Sequence, residues 1–291
     1  QAAVGIRDVA GCLVGSEMCI RDRALSAAGA KNGPVHLLDC DVETPNAALF
    51  LRPDLPRRRE AGLLVPEIEA DRCSLCGRCA EVCAYHAIAV VAEQVLVFRE
   101  ICHGCGSCAS NCPERAITER LHPTGLLEAG TAAGLNFAQG RMNVGEAMAP
   151  PVIRQLKNWM LPDAGPSARV ILDAPPGTAC PLVQTVQQAD YALLVTEPTP
   201  FGLHDLRLAV EVARDVLHVP VGIVLNRERP GRSEEVERFC EKEHLPILMR
   251  IPFQRGIAES YSRGVPLVEA QPAYRPLFLG VMEAIEAELK R

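Results

Sequence analysis

The sequence predicts an α/β fold, with a mostly parallel sheet that is covered by helices and interrupted by a small cysteine-rich insert. Short apolar segments that end in a polar residue recur along the chain, with amphipathic helical stretches between them. Strands that alternate with helices form parallel sheets whose two faces are both covered. The insert is indicated by a run of cysteines that repeats itself after 29 positions.

Four predicted strands are short runs of β-branched residues or leucine, at residues 35–39, 169–173, 192–196 and 221–226. Residues 201–217 and 234–243 carry the apolar pattern of amphipathic helices. The last predicted helix should bury one apolar face, formed by Leu277, Phe278, Val281, Ile285 and Leu289. In sheets of this kind, ligands bind at the carboxyl ends of the strands.

Charge and hydropathy exclude several classes of function. The 291 residues carry 30 Lys and Arg against 36 Asp and Glu, a net charge of −6, so we expect no attraction to nucleic acid or to an anionic membrane. No apolar stretch has the length of about 18 residues that a membrane-spanning helix needs, and the N-terminus lacks the pattern of a signal peptide. The thirteen cysteines lie at short spacings that favour metal ligation over disulfides. These features predict a protein of the reducing cytoplasm.

The cysteine-rich insert is an internal duplication. Each half has the spacing Cys-x₂-Cys-x₂-Cys-x₃-Cys, in which three thiolates bind one [4Fe–4S] cluster and the fourth binds the other cluster. The spacing therefore predicts two clusters, one bound by Cys73, Cys76, Cys79 and Cys112, the other by Cys102, Cys105, Cys108 and Cys83. Gly77, Gly104 and Gly106 allow the backbone to fold closely around them. The alternative is a pair of Cys₄ zinc sites, which normally use separated Cys-x₂-Cys pairs.

Four further runs lie near the ends of the predicted strands. They are Asp39-Cys40-Asp41-Val42-Glu43-Thr44-Pro45-Asn46, Asp173-Ala174-Pro175-Pro176-Gly177, Thr196-Glu197-Pro198-Thr199-Pro200-Phe201-Gly202 and Asn226-Arg227. Acidic residues at strand ends, followed by a Pro-Gly turn, suit a magnesium-linked nucleotide site. The alternative is that these residues only cap the strands of an α/β sheet.

On these runs and the cysteines, the chain from about residue 24 resembles the MinD/ParA class of P-loop ATPases. It is most similar to members with an inserted ferredoxin, of the 4Fe–4S binding or cobyrinic acid a,c-diamide synthase-like type. The resemblance implies a P-loop NTPase core at residues 24–60 and 120–291, a ferredoxin insert at 61–119, and a homodimer that binds ATP and Mg²⁺. It implies that Asp41 is the switch I acid near the γ-phosphate and that Asp173 holds Mg²⁺ through water. It also implies that Gly177 provides the switch II amide and that Asn226 contacts the adenine.

The glycine-rich phosphate loop of that class is missing from its expected place. Such a loop binds phosphates through backbone amides and a lysine, and this chain has no Gly-Lys dipeptide. Residues 11–23 have neither strand nor phosphate-loop character, and the chain begins at Gln1 instead of Met. We therefore expect residues 1–23 to be a non-native segment, with a degenerate ATPase as the alternative. In either case the chain as written should bind ATP poorly.

Five cysteines lie outside the repeat, two of them in the segment 1–23 and three beyond it. Cys180 follows the switch II turn, where the related nitrogenase iron protein places a cluster ligand, so it is a candidate ligand of a cluster that bridges two subunits. The alternative is that Cys180 is a small packing residue, which is also what we expect of Cys40 and Cys240. His103, beside Cys102, is expected to be a loop residue.

The leading hypothesis is an iron–sulfur ATPase in which ATP-driven switching and dimer closure control electron transfer through the insert to a redox partner protein. The insert directly follows switch I, so a switch movement has a short path to the clusters. Two alternatives stay open. One is a protein that assembles or carries iron–sulfur clusters, and the other is a ferredoxin-type electron carrier on a degenerate ATPase scaffold.

Overall fold

The computed structural model describes residues 8–12, 22, 24, 26, 33–165 and 167–290. Its strands are β1 (Asp8–Cys12), β2 (Val35–Asp39), β3 (Asp54–Ile68), β4 (Ile88–Val91), β5 (Gln94–Val97), β6 (Ile117–Ala132), β7 (Leu135–Met142), β8 (Arg169–Asp173), β9 (Tyr191–Thr196), β10 (Val221–Glu228) and β11 (Ile247–Pro252). Its helices are α1 (Ala47–Leu51), α2 (Arg78–Glu81), α3 (Ser107–Ser110), α4 (Pro150–Met160), α5 (Cys180–Val186), α6 (Pro200–Val210), α7 (Glu234–Lys242), α8 (Arg255–Ser262), α9 (Leu267–Ala270) and α10 (Arg275–Leu289).

Nine strands form one sheet, in the order β11-β10-β9-β1-β8-β2-β7-β6-β3, and β4 pairs with β5 in a separate hairpin. All neighbours from β11 to β7 are parallel, whereas β6 pairs antiparallel with both β7 and β3. Every residue of β2 and β9 is buried, because helices cover both faces. One face packs against α4, α5, α6 and α7, and the other against α1, α8, α9 and α10. The predicted α/β class with a mostly parallel sheet is confirmed.

The four predicted strands are present as β2, β8, β9 and β10, within two residues of their expected ends. The helix expected at 201–217 begins as α6 and continues as a π-helical turn at Glu211–Val216. In α10, Phe278, Val281 and Ile285 are buried as expected. The expectation for Leu277 was wrong, because that side chain is 51% exposed and lies off the buried stripe.

The strand β1 corrects one expectation about the N-terminal segment. Residues 11–23 were expected to lack strand character, but Gly11 and Cys12 belong to a strand that pairs in parallel with both β8 and β9. A segment between β8 and β9 can form backbone hydrogen bonds on both sides. These bonds can hold a short run of small residues in a strand even where the intrinsic strand propensity of those residues is low. The remaining residues of the expected phosphate-loop position, 13–21, lie outside the described residues, and the non-native origin of residues 1–23 stays a prediction.

The insert is attached to the sheet by a long two-stranded ribbon. The strands β3 and β6 pair from Asp54 with Thr131 to Ile68 with Ile117, and only the second half of β6 also pairs with β7. Residues 54–59, which follow Pro53, are the first part of β3. Their prolines and arginines are typical of an edge strand, which must avoid pairing with other chains.

Within the described part of the chain, no helix is both long and apolar enough to cross a membrane.

Candidate functional site

The eight repeated cysteines line two separate cavities in the insert. We call them cavity A, lined by Cys73, Cys76, Cys79 and Cys112, and cavity B, lined by Cys83, Cys102, Cys105 and Cys108. The cavities are nearly equal in size, with about 340 and 350 Å³ of empty space including their mouths. Each cavity thus collects three cysteines of one half of the duplication and the fourth cysteine of the other half. This is the same division into two sets that the spacing predicts.

The backbone repeats with the sequence. Leu75 and Gly77 have φ angles of 58° and 79°, and their equivalents Gly104 and Gly106 have 61° and 74°. The left-handed glycines Gly77 and Gly106 come directly before α2 and α3, each of which carries the third cysteine of its triplet. At Gly104 a Cβ would lie 3.0 Å from the carbonyl oxygen of Leu64, so the loop approaches β3 more closely than a side chain would permit. The duplication therefore builds two copies of one ligand loop.

Backbone amides point at the crossing cysteine of each set. The amide of Ala87 donates to Sγ of Cys83 and the amide of Ala116 donates to Sγ of Cys112, both at 3.3 Å. Such donors stabilise negative charge on sulfur and tune the potential of a bound cluster. The arrangement suits a thiolate better than a neutral thiol.

The buried cysteine of each triplet is influenced by the other two. Burial raises the pKa of the Cys79 thiol, backbone amides lower it, and nearby Cys73 and Cys76 raise it further. Burial likewise raises the pKa of Cys108, with smaller contributions from nearby Cys102 and Cys105. Several thiolates at such close range require a cationic centre, because they would otherwise repel one another.

The two cavities fit a cluster better than they fit a single ion. Among the described residues, no three histidine, cysteine or acidic side chains converge closely enough to hold one metal ion. The cysteines instead lie around the wall of a cavity, so that their sulfurs face a shared volume. A cubane of four irons spreads its ligands in this way, whereas tetrahedral zinc draws four sulfurs to about 2.3 Å from one point.

The other predicted site residues lie along the carboxyl edge of the sheet. Asp173 is the last residue of β8, and it is paired in register with Asp39 of β2 on one side and Gly11 of β1 on the other. Asp41 lies two residues beyond β2 and accepts hydrogen bonds from the amide (3.4 Å) and hydroxyl (3.0 Å) of Thr44. The structure therefore brings the two acids to neighbouring strand ends, next to the end of β1.

Gly177 and Asn226 lie on the same edge but further from these acids. Gly177 has a φ of 92° in the loop between β8 and α5, and a Cβ there would meet no atom within 4 Å. Asn226 is buried near the end of β10, separated from Asp173 by β1 and β9, and its side-chain oxygen accepts a hydrogen bond from the amide of Arg227. Gly177 thus lies in a loop with open space beside its Cα, while Asn226 lies two strands further along the edge.

Asp39 has a role that the sequence alone did not suggest. One carboxylate oxygen accepts the amides of Asn46 and Ala47, at 3.1 and 3.0 Å, and the other accepts the amide of Asp41 at 3.2 Å. The side chain thereby fixes the loop that carries Asp41 and the start of α1. An aspartate at a strand end, followed after a short loop by a helix, is the signal that could have identified it.

The cysteines outside the repeat differ in their surroundings. Cys180 is exposed at the start of α5, whereas Cys40 and Cys240 are buried in the apolar core, as expected of packing residues. Burial raises the pKa of Cys240 to about 11. His103 lies in the ligand loop, where its ring stacks on Tyr85 with centroids 3.6 Å apart.

Comparison with known proteins agrees with both parts of the structure. The sequence profile of the 4Fe-4S dicluster domain matches residues 65–113. The chain is 29% identical to the uncharacterized protein MJ0579 of Methanocaldococcus jannaschii over 80% of each chain. It is 30% identical to an iron-sulfur cluster carrier protein of Synechocystis over 42% of this chain and 38% of that protein.

The solved structures that resemble this chain share its fold. The cell division ATPase MinD of Pyrococcus furiosus superposes with a TM-score of 0.52 at 19% identity, covering 97% of this chain and 99% of that one. A ParA family ATPase of Chlorobium tepidum gives a TM-score of 0.55 at 12% identity, with the same coverage. The chain therefore has a MinD/ParA fold that carries a 4Fe–4S dicluster domain.

Proposed function

We propose that this chain, a MinD/ParA fold with a 4Fe–4S dicluster domain, is an iron–sulfur protein that holds two [4Fe–4S] clusters for electron transfer. The observation that carries the proposal is the division of eight cysteines between two cavities of nearly equal size. Cys73, Cys76, Cys79 and Cys112 would hold one cluster, and Cys83, Cys102, Cys105 and Cys108 the other. When bound, such clusters accept and donate single electrons, while the cysteines and the amides of Ala87 and Ala116 set the potential.

We further propose that nucleotide binding at the sheet edge is coupled to these clusters. Asp41 and Asp173 are the acids that would face the γ-phosphate and Mg²⁺ of bound ATP, with the Gly177 amide as sensor and Asn226 at the adenine. Val42, next to Asp41, accepts a 2.7 Å hydrogen bond from the amide of Met142. A shift of the loop at Asp41 would therefore move the end of β7 and the segment 143–149, which contacts the insert.

The chemistry of the site also suggests its surroundings. Free thiolates and clusters of this kind persist in a reducing compartment, so we place the protein in the cytoplasm. Electron transfer requires a redox partner protein, which docks near one of the cavities. The MinD/ParA fold makes a nucleotide-bridged homodimer the expected assembly, and an exposed Cys180 on each subunit is the candidate ligand for a bridging cluster.

The proposal is tested on protein that is purified anaerobically and reconstituted with iron and sulfide. We expect the iron and sulfide of two clusters per chain, and reduced spectra of spin-coupled [4Fe–4S] centres. A zinc-loaded, iron-free protein would overturn the assignment. The coupling is tested by measuring both cluster potentials with and without MgATP, in this chain and in one with a Gly-Lys-Gly-Gly loop restored before Arg23. Potentials unaffected by ATP in the restored chain would overturn it.

A second candidate is a protein that delivers clusters to other proteins. Partial similarity to an iron-sulfur cluster carrier protein favours it. A carrier must release its cluster to an apo-acceptor within minutes, whereas an electron carrier keeps both clusters through repeated reduction and reoxidation. Incubation of the loaded chain with an apo-ferredoxin, followed by separation and iron analysis, distinguishes the two. A third possibility is a ferredoxin-type electron carrier on a degenerate ATPase scaffold. It predicts that the chain with the restored loop does not hydrolyse ATP, whereas the coupled ATPase predicts that it does.

A further inference from the structure

We propose that the two clusters are released at different rates, such that the cluster in cavity A is lost first and the cluster in cavity B is retained. The inference rests on the proposed function, because it presumes a cluster in each cavity. It is carried by three differences between halves of the insert that are otherwise duplicates.

The first difference is the burial of the leading cysteine. Three of the four cysteine pairs that are related by the repeat have matching exposure. Cys76 and Cys105 are exposed, Cys79 and Cys108 are buried, and Cys83 and Cys112 are half-buried. The fourth pair does not match, since Cys102 of cavity B is buried and its equivalent Cys73 of cavity A is half-buried. Water and chelators therefore reach a ligand sulfur of cavity A more easily.

The second difference is an aromatic stack at cavity B. The rings of Tyr85 and His103 lie face to face, with centroids 3.6 Å apart and planes 10° from parallel, and both residues line cavity B. The equivalent residues in the repeat are Glu114 and Ser74, which line cavity A; all four residues are exposed, so the difference lies in their chemistry and not in their exposure. Stacked rings exclude water from the surface that they cover, whereas a carboxylate and a hydroxyl hold water there.

The third difference is a contact from the α/β core. Met148, in the segment between β7 and α4, packs against the apolar group of Leu63, Val65, Ala87 and Cys102, next to Cys83. That segment is tied to β6, because the amide of Asn143 donates to the carbonyl of Thr124 (2.9 Å) and His122 Nε2 lies 3.2 Å from Glu146 Oε1. Among the described residues, the other apolar group of the insert contains Cys79 of cavity A together with Cys108 of cavity B, and it is drawn from the ribbon and the insert alone. The contact from the α/β core is therefore made only on the side of Cys83 and Cys102, at cavity B.

These differences act in the same direction. Release of a cluster requires a chelator or water to replace a cysteine at iron, while the freed thiolate takes up a proton from solvent. In cavity B the stack and Met148 cover part of the wall, so that a chelator approaches at the exposed Cys105, whereas in cavity A a chelator can approach at Cys73 as well as at the exposed Cys76. The cavity A cluster is therefore the exchangeable one, and the cavity B cluster is the permanent one.

The test is the release of iron from the loaded, full-length protein into excess bathophenanthroline without oxygen. We expect two phases, each with about half of the iron, since the proposal places equal clusters in the two cavities. Cys76→Ser should remove the fast phase and Cys105→Ser the slow phase, which assigns the phases to the cavities. A protein that takes up no clusters would overturn the proposed function. A loaded protein that loses all iron in one phase would overturn this inference alone.

A second set of variants tests the cause. Replacing Tyr85 and His103 by their equivalents at cavity A, Tyr85→Glu with His103→Ser, should speed the slow phase roughly threefold to tenfold, the range given by the free energy of an aromatic pair. Met148→Ala should speed the same phase independently. Tyr85→Phe keeps the stack, and Ser74→Ala lies at cavity A, so neither should alter the slow phase. Unchanged slow release in both the double variant and Met148→Ala would overturn the proposal.

Discussion

The backbone amide of Met142 donates a 2.7 Å hydrogen bond to the carbonyl oxygen of Val42. Val42 follows Asp41 at the carboxyl edge of the sheet, and Met142 ends β7, immediately before the segment that packs against cavity B through Met148. One hydrogen bond thus joins the candidate nucleotide edge to the insert. In the proposed coupling, a movement at either site could be transmitted to the other through this hydrogen bond.

The contact between Gly140 and Val42 should be sensitive to a single methyl group. A Cβ at position 140 would lie 2.6 Å from Cγ1 of Val42 and 3.2 Å from Cγ1 of Val152. We expect Gly140→Ala to lower the free energy of unfolding by about 1–3 kcal/mol, as overpacking of a buried site does. Urea denaturation measures the loss.

Val42→Ala provides the control, because it removes the obstructing methyl groups. In the double variant we expect part of the loss from Gly140→Ala to be recovered, so that the two changes are not additive. Fully additive losses would show that the close approach to Val42 does not hold this segment in place.

Removing an exposed ligand from each cavity should remove one cluster at a time. Cys76 and Cys105 are both exposed, so substitution by serine should not disturb the packing of the chain. We expect Cys76→Ser and Cys105→Ser each to lose about half of the bound iron, and the double variant to lose nearly all of it. Iron and sulfide analysis of the reconstituted proteins measures the effect.

Cys180→Ser is the matched control, since this cysteine is also exposed but lies outside both cavities. The iron content of the monomer should not change. If it falls in a dimeric preparation only, the bridging-cluster hypothesis for Cys180 gains support. If it falls in the monomer, the assignment of the ligand sets is wrong.

Gln155 of α4 should hold the ribbon to the core. Its side-chain amide donates to the carbonyl of Gly62 (2.8 Å) and accepts from the amide of Gly62 (3.3 Å), where the register of β3 shifts. Gln155→Ala leaves both groups without this partner, so we expect a loss of about 1–3 kcal/mol in the free energy of unfolding.

Hydrogen exchange locates the effect of that variant. Faster exchange of the Gly62 amide and its neighbours in β3, with no change in β9, is the expected result. Asn158→Ala on the same helix serves as the control. Exchange that rises equally throughout the sheet would mean that Gln155 contributes to general packing and does not clamp the ribbon.

The stability of the loaded protein should fall at high pH through Cys240. Burial raises the pKa of this thiol from 9.0 to about 11, so the folded chain binds its proton more tightly than the unfolded chain. The contribution to stability is therefore complete below about pH 9 and is lost as the pH rises through about 11. Two units of pKa correspond to roughly 2–3 kcal/mol at most.

Cys240→Ala should flatten this decline, although it lowers stability at neutral pH by leaving a small cavity. Burial and a hydrogen bond to Glu288 also raise the pKa of Tyr191, but Tyr191 titrates in both proteins and cancels in the comparison. Denaturation at pH 8 and pH 10.5 provides the measurement. Parallel pH profiles for the two proteins would contradict the prediction.

The cysteine spacing could predict which cysteines line each cavity because the relevant geometry is local. A Cys-x₂-Cys-x₂-Cys loop with left-handed residues such as Gly77 and Gly106 closes on itself, and the duplication specifies which cysteine crosses over. The parallel strands could also be predicted, since β2 and β9 are buried along their whole length and most of their residues are apolar.

Two features could not be predicted, because they depend on residues far apart in the chain. The arginines after Arg52 became a strand only because β6, on the far side of the insert, supplies their hydrogen bonds. Gly11 joined the sheet because β8 and β9 leave a place between them. Neither pairing leaves a periodic pattern in the local sequence.

The sequence by itself determined the α/β scaffold and the division of eight cysteines into two groups of four, because strand hydrophobicity and loop spacing are local properties. Only the tertiary structure decided that the surroundings of the two cavities differ. Met148 reaches cavity B from another part of the chain, and Tyr85 meets His103 only after the halves of the insert fold together. Side-chain contacts of this kind depend on how distant segments pack, and spacing along the chain does not encode them.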